Sequence, residues 1–406
     1  MKEKSVCVIG LGYIGLPTAA LLAHNGYHVV GVDLSSKAVD TINQGRAHVV
    51  EPDLEAFVMA AVAAGKLEAH TSPQRGDIYI ICVPTPFHEN GPIPTPNVDH
   101  VMSAARSIAG FLKHGDLVVL ESTSPVGTLE SVHTVLESEG VDTSSIHLAY
   151  CPERVLPGRI MSELVENDRI IGGWTSDSAR AVAEFYRSFV RGEVIETDSK
   201  TAEMCKLVEN SYRDVNIAFA NELSLLCAAE GIDVWSLIKL ANRHPRVNIL
   251  SPGVGVGGHC IAVDPWFIAA RDPDNSRLIQ TARNVNNRKP HWAVEKILTT
   301  ARDLGSVLGR APRVACLGLA FKPDIDDLRE SPAIQVTESL IRSGVDVVAV
   351  EPNIEVHPSF PLISLESALS TSDLCVLLVR HRQFVSPVVR ARLEQLPCLD
   401  FCGALA

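Results

Sequence analysis

A glycine triplet near the start of the chain restricts the fold more than any other feature. Gly10, Gly12 and Gly15 form a GxGxxG pattern after the apolar residues 5–10 (SVCVIG) and at the start of a helical pattern. The first glycine allows a tight turn, the second lets the backbone approach a pyrophosphate, and the third lets helix and strand pack closely. The amino terminus of the next helix offers N–H groups and a positive dipole to phosphates. The pattern therefore predicts a nucleotide-binding βαβ unit.

An acidic residue follows at the distance that such a unit requires. Residues 28–32 predict a second strand, and Asp33 ends it, 18 residues after Gly15. A carboxylate at this point accepts hydrogen bonds from an adenosine ribose and repels a 2′-phosphate. We therefore expect a site for NAD rather than NADP. A glycine-rich turn without a ligand is the alternative.

Strand-like and helical patterns alternate as far as about residue 197, with buried-strand candidates at residues 77–83 and 117–120. This alternation is typical of parallel βαβ units in a doubly wound sheet. Residues 198–230 then form one long helical pattern, with apolar positions at Met204, Leu207, Val208, Val215, Phe219, Leu223 and Leu226. A helix of that length needs packing partners, so we expect it to connect two domains or to form a dimer core.

The carboxy-terminal part of the chain repeats the opening pattern. Residues 314–318 (VACLG) match residues 6–10 (VCVIG), and a helical stretch at 333–343, a strand at 346–350 and the acid Glu351 follow. The loop FKPDIDDLRESP lacks a phosphate-binding glycine set, so the repeat need not bring a second cofactor. The predicted fold class is α/β, with two Rossmann-like doubly wound parallel-sheet domains joined by a long central helix.

Composition excludes several classes of protein. Lys and Arg total 36 against 48 for Asp and Glu, a net charge of −12, which lacks the electrostatic footprint of a nucleic-acid binder. Ten cysteines without a CxxC pair count against a disulfide scaffold and a structural zinc site. Residues 6–23 are uncharged, but their clustered glycines and Pro17 count against a signal peptide or membrane span. We therefore expect a soluble cytoplasmic protein without a resident metal.

Cys260 lies in the segment PGVGVGGHCIAVDPW, after four glycines within six residues. Exposed amides in such a loop would lower the pKa of the thiol and stabilise an oxyanion, which favours a nucleophile. A buried or metal-binding cysteine is the alternative, and a metal is the weaker one because Cys260 and His259 have no second pair at ligand spacing. Four other cysteines lie in strand patterns and are expected to be core residues: Cys7, Cys82, Cys316 and Cys375.

Lys206 and Asn210 are four residues apart on the long helix and share one face, which Arg213 extends. On this helix face, a lysine whose stem is embedded among apolar neighbours would be able to exchange protons with a substrate hydroxyl. The alternative is an exposed lysine beside a neutral neighbour.

Three further polar residues follow strand-like segments, where open α/β sheets place ligand sites: Glu153 and Arg154 in YCPERVLPG, and Thr123 in ESTSPVGT. Taken alone, each is more often a capping or turn residue. A nicotinamide site with a reactive cysteine indicates aldehyde oxidation through a thiohemiacetal and a thioester, and a Lys–Asn pair indicates alcohol oxidation. Together they predict a two-step oxidation from alcohol to acid.

Seven segments resemble, in the same order, the UDP-glucose/GDP-mannose dehydrogenase family: GLGYIGLP, VPTP, ESTSPVGT, PERVLPG, KLVEN, GVGGHCIAVDPW and FKPDIDDLRESP. They cover nearly the whole chain. The resemblance implies NAD-dependent oxidation of a UDP-sugar, and the segments around residues 205–267 favour UDP-N-acetyl-D-mannosamine, as a precursor of surface polysaccharide. UDP-glucose dehydrogenases usually carry a lysine where this chain has Val263, and they lack the His244-Pro245-Arg246 run. Both departures count against glucose.

The resemblance also implies a role for each matching position. Cofactor contacts are expected from Gly10, Gly12, Tyr13, Ile14, Gly15, Asp33, Thr85, Thr123 and Arg329. Cys260 would be the nucleophile, Lys206 the proton donor or acceptor and Asn210 a hydrogen-bond partner of the oxyanion. Asp264 would support them, and Glu153 and Thr123 would handle the hydrolytic water. Sugar-nucleotide contacts are expected from Arg154, Val155, Lys206, Asn210, Arg213, His244, Arg246, Gly257, Phe321 and Lys322.

The resemblance implies three domains and a homodimer. Residues 1–197 would bind NAD, residues 198–302 would form a central dimerisation domain with the cysteine loop, and residues 303–406 would bind the UDP-sugar. In related enzymes a neighbour's arginine completes the site, so His244 and Arg246 are expected to act on the partner protomer. The alternatives are UDP-glucose or UDP-N-acetylglucosamine as substrate, a two-electron β-hydroxyacid dehydrogenase, and a non-catalytic NAD-binding regulator.

Overall fold

The structure is a computed structural model that describes residues 4–88, 91, 93–258 and 260–406. Residues 1–209 and 266–271 form one compact unit (unit 1), and residues 210–265 and 272–406 form another (unit 2). Across the described residues, no helix combines the length and the apolar character that crossing a membrane requires.

Unit 1 alternates strands and helices along the chain. Its elements are β1 (Ser5–Ile9), α1 (Gly15–His24), β2 (His28–Val32), α2 (Ser36–Asn43), α3 (Leu54–Ala63), β3 (Leu67–His70), β4 (Ile78–Ile81), the hairpin β5 (Phe87–His88) and β6 (Thr95–Pro96), α4 (Asp99–Ala109), β7 (Leu117–Leu120), α5 (Thr128–Ser138), a 3₁₀ turn (Thr143–Ser145), β8 (His147–Tyr150), α6 (Ile160–Glu166), β9 (Arg169–Gly173), α7 (Ser176–Tyr186) and β10 (Val194–Asp198).

The described strands of unit 1 build an eight-stranded sheet in the order β10-β9-β8-β7-β4-β1-β2-β3. Neighbours from β8 to β3 are parallel, which confirms the predicted parallel βαβ sheet, whereas β9 pairs antiparallel with β8. The alternation of strands and helices did not predict this reversal. An antiparallel edge on a parallel sheet is common in large α/β domains.

Side-chain alternation explains why these strands are continuously apolar. In β1, Val6 and Val8 belong to one hydrophobic cluster, while Cys7 and Ile9 belong to another. Successive side chains of a strand point to opposite faces of the sheet, and helices cover both faces. Both faces must therefore be apolar, and polar residues concentrate where strands end.

The helix α8 (Ser199–Glu230) confirms the predicted long helix, and the division between units falls within it. Unit 2 continues with α9 (Val234–Ala241), α10 (Asp264–Arg271, whose last six residues belong to unit 1), α11 (Arg277–Leu308), β11 (Arg313–Leu317), α12 (Pro332–Arg342), β12 (Asp346–Val350), α13 (Leu365–Thr371), β13 (Leu374–Leu377), α14 (Pro387–Leu393) and β14 (Cys398–Asp400). Its described strands form a four-stranded parallel sheet in the order β12-β11-β13-β14, which confirms the predicted second sheet.

The helix α11 was not predicted from the sequence, and part of the apolar pattern of α8 lies on its exposed side. The apolar positions Phe219 and Leu226, expected to find partners along the helix, are exposed. The buried face of α8 instead carries polar groups: Asp214 accepts from Arg283 of α11 at 2.7 Å, and Asn221 donates to Asn286 at 2.8 Å. Buried polar groups are tolerated when paired, so α8 and α11 pack through hydrogen bonds as well as through apolar contact.

Candidate active site

Five adjacent strands of unit 1 end at the same edge of the sheet. The strands β2, β1, β4, β7 and β8 are neighbours and parallel. Candidate site residues follow each of them: Asp33 after β2, the glycine triplet after β1, Thr85 after β4, Thr123 after β7 and Glu153 after β8. Open α/β sheets bind ligands at the carboxyl ends of their strands. The fold therefore collects these residues at one edge.

The three glycines meet different requirements. Gly10 has a φ of +91°, and a Cβ there would lie 2.6 Å from the carbonyl oxygen of Cys82. A Cβ at Gly15 would lie 1.8 Å from the carbonyl oxygen of Gly10. At Gly12, no described atom lies within 4 Å of the Cβ position. A side chain at Gly10 or Gly15 would clash with the backbone, so both positions require glycine for packing. Gly12 instead faces open space, which a pyrophosphate would fill.

The surroundings of the triplet fit an NAD adenosine. Asp33 accepts hydrogen bonds from the backbone N–H of Leu11 at 3.1 Å and of Ser35 at 2.9 Å, and it remains half-buried. A carboxylate can accept about four hydrogen bonds, so Asp33 can still accept hydrogen bonds from the hydroxyls of a ribose. Tyr13 and Ile14 are half-buried just before α1 begins.

The loops after β4 and β7 are tied together. The hydroxyl of Thr85 donates to the carbonyl oxygen of Thr123 at 2.6 Å. Ser122 donates to the carbonyl oxygen of Val83 at 2.7 Å. These bonds fix the two threonines predicted to contact the cofactor relative to each other.

Glu153 is held in a buried ion pair. Its carboxylate accepts from Arg169 and, at 2.7 Å, from the backbone N–H of Arg154. Glu153 is 6% and Arg169 2% exposed. Burial alone would lower the pKa of the Arg169 guanidinium, but the charge of Glu153 raises it above its ordinary value. The ion pair and the backbone N–H of Arg154 fix the position of the Glu153 carboxylate.

A second buried carboxyl, that of Glu121, was missed by the sequence analysis. It accepts hydrogen bonds from the hydroxyl of Tyr186 and, at 3.1 Å, from the thiol of Cys82. Burial and the charge of Glu153 raise the pKa of Glu121. The sequence feature that could have identified Glu121 is its position directly after an apolar strand. It begins the segment ESTSPVGT, from which only Thr123 was selected as a candidate.

The cysteines expected in the core divide into two kinds. Cys7, Cys316 and Cys375 are buried in strands, as predicted, and burial raises the pKa of each thiol, to about 11, 12 and 11. Cys82 also packs against the hydrophobic core, but it is half-buried, follows β4 and donates its thiol to the Glu121 carboxyl. Burial and the neighbouring carboxyl raise the pKa of its thiol as well.

Lys206 contacts the same loop as Glu153. Its Nζ donates to the carbonyl oxygen of Glu153 at 2.8 Å, so the exposed-lysine alternative is wrong. Arg154 pairs with Glu209 at 2.9 Å, so part of its hydrogen-bonding capacity is already used. Val155 is half-buried and packs against the hydrophobic core. Unit 1 thus brings the Lys206 amine to the loop that carries Glu153, Arg154 and Val155.

In unit 2, the glycine loop before Cys260 packs against residues 319–331. A Cβ at Gly257 would lie 2.5 Å from the carbonyl oxygen of Glu330 and 2.7 Å from Cβ of Phe321. Gly258 has a φ of +80° and donates its N–H to the carbonyl oxygen of Arg329 at 3.0 Å. Gly257 and Gly258 must therefore be glycines for the loop to pack this closely against residues 319–331. The packing places Gly257 beside Phe321.

Cys260 lies at the turn that leads into α10. Its carbonyl oxygen accepts from the backbone N–H of Val263 at 3.0 Å and of Asp264 at 2.8 Å. Cys260 is half-buried, whereas Asp264 is 2% exposed. Asn210 donates to the Asp264 carboxylate at 2.5 Å. Three predicted catalytic residues of unit 2 are thereby connected.

The remaining predicted residues of unit 2 are less buried. Arg213, His244 and Arg246 are exposed, and Lys322 is half-buried. Arg329 is exposed and its guanidinium binds the Asp327 carboxylate at 2.6 Å and 2.9 Å. His259 lies outside the described residues. Among those described, no group of three or more His, Cys, Asp and Glu side chains could hold a metal ion.

Comparison with known proteins identifies the family. Sequence models of the UDP-glucose/GDP-mannose dehydrogenase family match residues 4–190 (NAD binding domain), 200–288 (central domain) and 315–405 (UDP binding domain). The chain belongs to the UDP-glucose/GDP-mannose dehydrogenase family. It is an NAD-dependent UDP-sugar dehydrogenase, which confirms the cofactor and the class of substrate expected from the sequence.

Individual relatives match over nearly their whole length. The NDP-N-acetyl-D-galactosaminuronic acid dehydrogenase of Ralstonia nicotianae is 53% identical over 94% of this chain and 92% of its own. The UDP-N-acetyl-D-mannosamine dehydrogenase of Escherichia coli K12 is 53% identical over 95% of each chain. The solved structure of the Pyrococcus horikoshii UDP-D-ManNAc dehydrogenase has a TM-score of 0.88, at 37% identity, over 99% of this chain and 96% of that chain.

Proposed function

We propose that this enzyme oxidises UDP-N-acetyl-D-mannosamine to UDP-N-acetyl-D-mannosaminuronate, with two NAD and one water consumed, as a step towards surface polysaccharide. The observation that carries the chemistry is the half-buried Cys260 on a tight turn, next to a buried Asp264 that binds Asn210. The E. coli relative and Val263 in place of lysine support the sugar. The Ralstonia relative, equally identical, favours an N-acetylgalactosamine nucleotide as the second candidate.

In the first oxidation, the 6-hydroxyl of the sugar loses its proton to Lys206. Asn210, one helical turn further along α8, donates a hydrogen bond to the developing oxyanion. The carbonyl oxygen of Glu153 orients the Lys206 amine through its 2.8 Å hydrogen bond. NAD, when bound, would accept the hydride of this step, and a second NAD that replaces the resulting NADH would accept the hydride of the next.

In the second oxidation, the thiolate of Cys260 attacks the aldehyde carbon and forms a thiohemiacetal. Loss of a hydride and a proton converts it to a thioester. The Asp264 carboxylate keeps the Asn210 amide directed at the oxyanion. Water, positioned by Glu153 and Thr123, then attacks the thioester carbon and releases the acid and the thiol.

The UDP diphosphate requires cationic donors in an otherwise acidic chain. We assign this role to Arg154, Arg213 and Lys322, since guanidinium groups match phosphate oxygens well. Val155, Gly257 and Phe321 would contact the rest of the sugar nucleotide. Residues 1–197, 198–302 and 303–406 would serve as the cofactor, dimerisation and UDP-sugar domains.

A homodimer would complete this site. Tyr212, Phe219 and Leu226 are spaced by seven residues on α8 and are 72%, 57% and 59% exposed. An apolar stripe of this kind favours a second helix as its partner. The exposed His244 and Arg246 would then act on the partner's substrate.

The substitution Cys260→Ser tests the chemistry. A serine alkoxide is a poor leaving group in a site suited to a thiolate, so we expect uronate formation to fall at least about 100-fold (about 2.7 kcal/mol in the barrier). Mass spectrometry should detect a substrate adduct on the variant. Cys398→Ser, at a half-buried thiol outside the proposed site, is the matched control. Undiminished uronate formation by the Cys260→Ser variant would remove this residue from the mechanism.

A panel of purified UDP-sugars tests the substrate. We expect the highest kcat/KM with UDP-N-acetyl-D-mannosamine and two NADH for each sugar consumed. A preference for UDP-N-acetyl-D-galactosamine would support the second candidate. One NADH for each substrate would instead support a two-electron dehydrogenase.

A further inference from the structure

Unit 2 contains a cavity of about 190 Å³ formed by α8, α9, α11 and β14. Its walls include Ser224, Trp235, Lys289, Trp292 and Phe401. A cavity of about 150 Å³ is large enough for benzene, so a molecule with one ring fits here. Among the described residues that line it, none belongs to the predicted catalytic or cofactor site.

The cavity wall carries a buried lysine without a counter-charge. Lys289 is 2% exposed, donates to the hydroxyl of Ser224 and lies 4.1 Å from the ring centroid of Trp292. Among the described carboxylates, none comes within ion-pair distance of its amine. Burial lowers the pKa of Lys289 to about 7. The ammonium form thus lacks the partner that a buried charge normally requires.

Three other charged residues line the cavity. Asp233 accepts from the backbone N–H of Trp235 and of Ser236, at 3.3 Å and 3.0 Å. Asp400 accepts from the backbone N–H of Cys402 and of Leu405, at 3.0 Å and 2.7 Å. These amides orient both carboxylates towards their own chain segments.

Lys296 is the third charged residue. It is exposed and lies seven residues after Lys289, on the same face of α11. The wall therefore offers two amines, while its carboxylates are already bound to backbone donors.

We propose that this cavity binds a small organic anion, with one flat ring against Trp235 and Trp292 and a carboxylate or phosphate paired with Lys289. The anion supplies the missing counter-charge, and the rings bury its apolar body. Such a site goes beyond the proposed oxidation of a UDP-sugar and does not depend on the identity of that sugar.

Binding of 4-fluorobenzoate to the full chain, followed by fluorine NMR, tests the proposal. We expect saturable binding at pH 6, and neutral 4-fluorobenzamide should bind at least about tenfold more weakly because it lacks the charge. Only the ammonium form of Lys289 pairs with an anion, so affinity should fall about tenfold between pH 6 and pH 8. The Asp233 pKa is lowered by its bonds to Ser236, so its charge is constant over this range.

Two variants and one control define the site. Lys289→Met keeps the apolar stem and should lose benzoate binding at least about tenfold without losing thermal stability, since a buried amine is removed. Ala228→Phe fills the cavity from α8 and should block both probes. The rim control Lys296→Met should weaken binding only about twofold. Absent benzoate binding, equal binding of the two probes, or unchanged binding by Lys289→Met overturns the proposal.

Discussion

The β1–α1 region and the β11–α12 region start from the same turn. Gly10 and Gly318 follow the first strand of each region with φ angles of +91° and +92°. Their N–H groups donate to Val32 at 2.7 Å and to Val350 at 2.9 Å, the last residues of the second strands. An acid then follows each second strand. The two regions are therefore the same local construction.

The acids are used differently. Asp33 is half-buried and accepts one backbone N–H on each oxygen. Glu351 is 5% exposed, and one of its oxygens contacts the N–H of Leu319, the N–H of Ala320 and the ring of His381. The first acid remains accessible to a ribose, whereas the second holds its own loop. One fold thus leaves its acid accessible in one region and buries it as a hydrogen-bond acceptor for its own loop in the other.

The glycine triplet offers the strongest test of this difference. In Gly15→Ala the new Cβ meets the Gly10 carbonyl oxygen at 1.8 Å, so the loop must move. A displacement of about 1 Å costs about 100-fold in activity, and we expect at least that loss in kcat/KM for NAD.

Gly12→Ala should leave the free energy of unfolding within about 0.5 kcal/mol of that of the unsubstituted protein but weaken NAD binding at least about tenfold. Calorimetric titration with NAD and chemical unfolding separate the two effects. Normal NAD binding by Gly12→Ala would show that the open space is not the pyrophosphate position.

The two acids should respond oppositely to amide substitution. Glu351→Gln should lower the free energy of unfolding by about 1–3 kcal/mol, because buried donors lose a charged acceptor. Asp33→Asn should change that free energy little and weaken NAD about tenfold, or about 1.4 kcal/mol. Urea unfolding and NAD titration of both variants measure the contrast. Equal loss of stability in the two variants would contradict it.

The pH dependence of stability isolates Glu351. Burial opposes its ionisation, but hydrogen bonds from His381 and the backbone outweigh burial and hold the pKa of Glu351 below its ordinary 4.5. Its stabilising contribution is therefore complete above pH 4.5 and is lost as the pH falls through the lower pKa of the folded protein. Urea unfolding between pH 3 and pH 6 should show a smaller pH dependence for Glu351→Gln than for the unsubstituted protein. An identical dependence would assign the effect to other carboxyls.

The smallest expected effect is that of Arg329→Gln, which tests whether the carboxy-terminal region contributes to cofactor binding. Arg329 is exposed and paired with Asp327, so Arg329→Gln should cost less than about 1 kcal/mol of stability. If its predicted cofactor contact is correct, the KM for NAD should rise about two- to fivefold. Arg313→Gln, which breaks the exposed pair with Asp346, is the matched control. Equal KM values for the two variants would exclude Arg329 from the cofactor site.

Local patterns predicted the parts of the structure that depend on local chemistry. The turn at Gly10, the strands β2 and β7 and the helix α8 follow from backbone freedom and apolar periodicity, and they were expected within a residue or two. The antiparallel pairing of β9 and the outward apolar stripe of α8 were not. Both depend on partners distant in sequence, which periodicity does not identify.

The same division applies to the site. Cys260, Lys206 and Asn210 were selected by residue type and spacing, and the resemblance to a family assigned their roles. Glu121 directly follows an apolar strand and Arg169 begins one, but nothing in the sequence near either residue shows that both lie in one buried cluster with Glu153. Their effect on Glu153 arises only when burial removes water and brings the charges together.

Strand-and-helix alternation and the glycine triplet were sufficient by themselves to predict two parallel-sheet domains and a dinucleotide turn, because each is encoded within a few neighbouring residues. The class of reaction followed from the resemblance of the ordered motifs to a known family. Tertiary structure alone decided which of two matching acids remains accessible, which carboxyl meets Arg169, and that Lys289 borders a cavity while none of the described carboxylates forms an ion pair with it. Those outcomes depend on desolvation and on contacts between distant segments, which exist only in the folded chain.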